Sequence, residues 1–120
     1  MLDITFYSNS KKIENVEVSE SFYEWLAKSP AFTAIASSIT KSLLIDDEEV
    51  ELELVYLVGI NRRKYSDFFR GEIVEECSKI LESLEECNKD KFQEMSAKLK
   101  TLEKLRKLVE DESFLYMGYL

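Results

Sequence analysis

Residues 45–60 (IDDEEVELELVYLVGI) carry the sharpest change of pattern in the chain. Four consecutive acids, Asp46, Asp47, Glu48 and Glu49, lead into a strict alternation of Val50, Glu51, Leu52, Glu53 and Leu54. That alternation merges into an unbroken apolar run over 54–58. A period of two places successive side chains on opposite faces, so the segment reads as a strand, half wet at first and buried on both faces towards its end. The β-branched valines favour the same assignment. A helix is the alternative, because Leu54, Leu57 and Val58 fall at helical spacing and Asp46 with Glu49 has the spacing of a capping box.

The flanking patterns supply the rest of the outline. Leu2, Ile4 and Phe6 alternate with Asp3, Thr5 and Tyr7, which predicts an opening strand before the turn cluster Ser8-Asn9-Ser10. Residues 13–18 form a short extended piece. Ser21 followed by Glu24 predicts the start of a short helix carrying Phe22, Trp25 and Leu26. Ser29 as N-cap and Pro30 at the first helical position predict a second helix over 30–44, with Phe32, Ile35, Ile39 and Leu43 along one stripe.

After the basic turn 61–64, Ser66 or Asp67 opens a long helix with apolar positions Phe69, Ile73, Cys77, Ile80, Leu81 and Leu84. A break at 88–90 precedes a last helix over 91–110, on Phe92, Met95, Leu99, Leu102 and Val109. These two pair as an antiparallel hairpin. The aromatic segment 114–120 (FLYMGYL) closes the chain as a strand. The expectation is a single α+β domain over 1–120: a small sheet of about three strands against about four helices, including a C-terminal helical hairpin.

Composition narrows the function classes. At 120 residues with 45% hydrophobic positions, the chain is long enough to bury a core without metal or disulfide staples. Its net charge of −8 repels the backbone of nucleic acids and anionic membranes, and favours a basic protein partner. Cys77 and Cys87 lie ten residues apart on one expected helix, about 15 Å along its axis and beyond disulfide reach. They read as small buried hydrophobes in a reducing compartment. No apolar run approaches bilayer-spanning length, and the first residues lack the pattern of a secretory signal, so a cytoplasmic location is expected.

The chain contains no histidine, which removes Ser-His-Asp and Cys-His catalysis and imidazole metal sites. Its three glycines are isolated and form no phosphate loop. The carboxylates Glu72 with Glu75, and Glu82 with Glu85 or Glu86, have a spacing that can hold Mg²⁺, as in a metal-dependent hydrolase. They also fall on the polar face of their helix, and the reading adopted is non-enzymatic, with no cofactor or metal. The candidate partner-binding residues are Asp46, Asp47, Glu48, Glu49, Glu51 and Glu53, with Tyr56 and Tyr65 as exposed aromatic anchors. A regulatory homodimer, formed through the closing strand or the helical hairpin, is a further alternative.

The opening strand LDITFY, the helix entry S-P-A-F at 29–32, the acidic insertion DDEEVELEL and the closing FLYMGYL together resemble, in layout, the small acidic immunity proteins of bacterial contact-dependent inhibition and polymorphic toxin systems. That resemblance implies a cytoplasmic inhibitor that binds a basic cognate toxin domain. It carries over no individual functional residue.

Overall fold

The computed structural model of the protein describes residues 2–8, 12–84 and 89–118. Two strands, β1 (Leu2–Ser8) and β2 (Ile13–Val18), are followed by helices α1 (Glu20–Lys28) and α2 (Pro30–Thr33). A second strand pair, β3 (Ile39–Ile45) and β4 (Glu48–Tyr56), precedes the helices α3 (Ile60–Glu82) and α4 (Lys89–Glu110) and the final strand β5 (Phe114–Gly118). All strand pairings are antiparallel, in the order β2-β1-β5-β4-β3.

The sheet therefore has five strands, where the sequence predicted about three. One of the two additional strands is β2, an edge strand that buries only Val16 and Val18. The other is β3, in a stretch expected to be helical. Phe32, Ile35, Ile39 and Leu43 do match a helical stripe, but Ile39, Leu43 and Ile45 match a period of two equally well around Lys41. The helix opened by Pro30 stops at Thr33, Ser37 and Ser38 interrupt the chain, and Ile39–Thr40 are β-branched and poor helix formers. Pairing with β4 then supplies the backbone hydrogen bonds.

One face of the sheet meets the helices. Ile4, Phe6, Val16, Val18, Val55, Leu57, Phe114 and Met117 pack with Phe22, Leu26, Phe32, Tyr65, Phe69, Leu102, Leu105 and Val109 in one buried cluster. Phe32 explains the four-residue α2: its ring lies 5.4 Å from Tyr65, 5.3 Å from Phe68 and 6.0 Å from Phe69. Short helix α2 thus delivers one aromatic plug into the core, a geometry in which ring pairs are favourable beyond their buried area.

Other expectations shift in detail. The N-cap of α1 is Ser19, whose hydroxyl accepts from the Phe22 amide at 3.2 Å, not Ser21. Helix α3 starts at Ile60, so the basic residues 61–64 form its first turn instead of a loop. Cys77 is exposed and Glu76 takes the inward position beside it. The stripe Phe69, Ile73, Glu76, Ile80 fits a helix as well as one through Cys77. Of the expected break at 88–90, Lys89 and Asp90 already belong to α4. Residue 88, the turn at Asn9-Ser10, Cys87, Glu85, Glu86 and the last two residues of the closing segment lie outside the described residues.

Arg62 ties this frame together. Its Nη1 donates to the carbonyls of Val109 at 2.7 Å and Asp111 at 2.8 Å, and its Nη2 to that of Phe114 at 2.5 Å. One guanidinium thereby satisfies acceptors at the end of α4 and the start of β5, fixing the direction in which β5 enters the sheet.

Candidate functional site: a two-faced acidic arm

Among the described residues, strand β5 pairs with β4 at Val55 and Tyr56. The β3–β4 pair continues well past that point, from Ile39↔Leu54 to Ile45↔Glu48. Among the described residues, six residues of β4, 48–53, pair with β3 alone and form a two-stranded arm about 20 Å long, at 3.4 Å per residue. Its tip is the two-residue turn Asp46-Asp47, with φ of 52° and 64°. Two successive left-handed residues are what a tight hairpin turn of matching twist requires, and asparagine-glycine is the sequence that adopts it with least strain.

The cross-strand register sorts the arm into two faces. Thr40 faces Glu53, Ser42 faces Glu51 and Leu44 faces Glu49, and all six are exposed. On the opposite face Ile39, Lys41, Leu43 and Ile45 face Leu54, Leu52, Val50 and Glu48, and apart from buried Leu54 and exposed Glu48 these are half-buried. The apolar stripe runs on into the outer face of the sheet. There the Tyr56 and Tyr116 rings pack with centres 5.2 Å apart and planes tilted by 45°, and the Lys41 ammonium lies 5.8 Å from the Tyr116 ring centre. Gly118 makes room on that face, since a Cβ in its place would lie 3.0 Å from Leu54 Cδ2.

The expected partner-binding set is thus divided. Asp46, Asp47, Glu48, Glu49, Glu51 and Glu53 do share one arm, and Glu49, Glu51 and Glu53 share one face. Tyr56 is partly exposed but lies on the other face, beside Tyr116. Tyr65 is fully buried against Phe32 and is no surface anchor. The ion pairs among the described residues lie elsewhere, on α3 and α4: Arg70 with Glu110, Lys79 and Lys98 with Glu76, and Arg106 with Glu103 and Glu110. No described cation forms an ion pair with the six acids of the arm, and the arm's own Lys41 lies on the face opposite Glu49, Glu51 and Glu53.

A second concavity, a cleft of about 650 Å³, lies between α1, β2 and the helical pair, walled by Phe22, Trp25 and Met95. Its buried polar group is Glu76, whose Oε1 accepts from Lys98 at 3.0 Å and Lys79 at 3.4 Å. Burial alone would push the Glu76 carboxyl up, but the two lysines hold it below the ordinary carboxylate range. Lys98 also caps the Trp25 ring at 4.2 Å, so Glu76 and Lys98 are engaged within the cleft, whereas Glu17 and Glu94 at its wall form no ion pair among the described residues.

Of the helical carboxylates, Glu72, Glu75 and Glu82 are among the described residues. Glu72, whose carboxyl is pushed up by burial and by Glu75, is half-buried, while Glu75 and Glu82 are exposed. Among the described residues no group of three or more potential ligands is placed to hold a metal ion. No described helix is long and apolar enough to cross a membrane. The closing strand β5, one of the two routes of the alternative homodimer, lies inside the sheet between β1 and β4. No family model, curated protein or solved structure matches the chain.

Proposed function

We propose that the chain is a cytoplasmic, non-enzymatic binding protein, an inhibitor of the immunity type, that captures a basic protein through the acidic arm. The observation that carries this reading is the arm itself: six acids that form no ion pair among the described residues, held on a paired scaffold. Such a field accelerates encounter with a cationic surface and discriminates by charge. The acids also stand where stability alone would not put them. Glu49, Glu51 and Glu53 repel along one face, and the tip adds two more acids at left-handed positions that neutral asparagine and glycine adopt with less strain. The layout shared with small acidic immunity proteins accords with a toxin domain as the basic partner.

The test is a capture from the host cell with the wild-type chain and with the triple variant Glu49→Gln, Glu51→Gln, Glu53→Gln, at low and moderate salt. A stoichiometric basic protein is expected on the wild type alone, with retention falling as salt rises. Once purified, that partner at a hundredfold excess over Kd should stabilise the chain by about 2.7 kcal/mol. Equal capture by the triple variant, with its melting temperature unchanged, would refute the assignment.

A further inference from the structure

Strand β3 ends the sheet, and among the described residues no strand pairs with its outer edge. Free edges in natural sheets are blunted by proline, bulges or charge, because their unpaired N–H and C=O groups template a further strand. Residues 39–45 (ITKSLLI) contain no proline, and their pairing with β4 runs in unbroken register. The one charge, Lys41, is turned onto the Tyr116 ring on the outer face of the sheet. The edge is open along its whole length.

Its two faces specify what would add there. On the acidic face β3 presents Thr40 and Ser42, both short, directly beside Glu53 and Glu51 of β4. A strand added outside β3 lies two spacings from β4, about 9.6 Å. A lysine or arginine on it reaches across the short Thr40 and Ser42 to those carboxylates, whereas a short or acidic side chain does not. On the other face the same strand meets the half-buried stripe of Ile39, Leu43, Ile45, Val50 and Leu52, which favours apolar side chains. A second copy of the chain fits poorly, since its own edge brings no cation to the acidic face and sets a second acidic arm alongside the first.

We infer that the arm recognises its partner by strand addition: an extended segment with basic and apolar residues in alternation pairs with Ile39–Ile45. Backbone hydrogen bonds give the register, while the two faces select the sequence. This inference rests on the proposed capture of a basic protein and adds the manner of capture.

The probe is a synthetic seven-residue peptide alternating arginine with valine, compared with a scrambled peptide of the same composition. Amide exchange and NMR shifts are followed in the full-length chain. The alternating peptide is expected to slow exchange at every second amide of Ile39–Ile45, those whose N–H points outward, and the scrambled peptide to leave them unchanged. The double variant Thr40→Lys, Ser42→Lys fills the gap with cross-strand partners for Glu53 and Glu51. It should keep the fold and lose the peptide.

Equal shifts from both peptides, without protection of alternate β3 amides, would overturn strand addition while leaving charge-driven capture standing. Failure of both peptides to perturb any arm residue at low salt would remove the underlying reading as well. Protection of β3 in the absence of peptide, with a dimer mass by light scattering, would overturn the inference in favour of self-pairing.

Discussion

Removing the Arg62 side chain tests the frame on which the arm is mounted. Its guanidinium donates three hydrogen bonds, to the carbonyls of Val109, Asp111 and Phe114, and it is half-buried. A hydrogen bond to a charged group contributes about 1.5–3 kcal/mol, and three that share one side chain and partial solvent do not add in full. Arg62→Ala is therefore expected to destabilise by about 2–4 kcal/mol. Arg62→Lys keeps the charge but offers a compact ammonium that cannot span three carbonyls, so it should recover less than half of that loss. The assay is urea unfolding followed by the fluorescence of Trp25, the single tryptophan. With a slope of about 1.5 kcal/mol per molar urea, the alanine variant should lower the midpoint by about 1.3–2.7 M at unchanged slope. Exposed Arg63 is the control, and its alanine variant should stay within about 0.5 kcal/mol of wild type. A fall below about 0.3 M for Arg62→Ala would mean that β5 is positioned by packing alone, and the clamp would be wrong.

Two further predictions use other parts of the chain. Glu76→Gln should cost about 1–3 kcal/mol at neutral pH, because Lys98 and Lys79 lose a buried counter-charge. The Glu76 carboxyl is held below its ordinary value when folded, so its contribution is full above about pH 4.5 and fades as pH falls through the lower folded value. The gap between variant and wild type in pH-dependent unfolding should therefore close in acid, and a gap constant from neutral to acid would contradict the pairing. At the arm tip, Asp47→Gly relieves a residue at φ 64° and should stabilise by about 0.5–1 kcal/mol, visible as a rise in melting temperature. A fall would show that the Asp47 carboxylate makes a stabilising contact of its own.

What could be read from the sequence followed where one period fitted and its rival did not. The alternation in 2–7 and 50–54 gave strands, and it also gave the shared face of Glu49, Glu51 and Glu53. Parity alone would also have separated Tyr56, an even position, from those odd-numbered acids. Residues 35–43 matched the helical and extended templates alike, and only the pairing with Leu54, Leu52 and Val50 resolves them. Glu76 and Arg62 were illegible for a different reason. Each is polar, and each is turned inward by a partner 22 or more positions away, Lys98 for one and the turn after α4 for the other. Tyr65 was mistaken for an anchor because its helix begins at Ile60, which turns it onto Phe32.

The arm is the least self-sufficient element of this fold, and that bears on how it works. A two-stranded hairpin is marginal in water, and three strands are generally needed for independent stability. Here the described part of the third strand, β5, pairs with β4 at Val55 and Tyr56, and the acids beyond add repulsion along one face and strain at the tip. The missing strand and the repulsion are lifted by the same event. A basic strand laid against β3 makes the arm three-stranded along its length, neutralises Glu51 and Glu53, and covers the stripe from Ile39 to Val50. Binding should therefore tighten the arm most where it is weakest in the free chain. Amide exchange at 39–53 should be fast before binding and slow after it, while exchange in β1 and α4 barely changes. Uniform slowing across the whole chain would instead mean global stabilisation by a partner seated elsewhere, and the arm would have no special part in recognition.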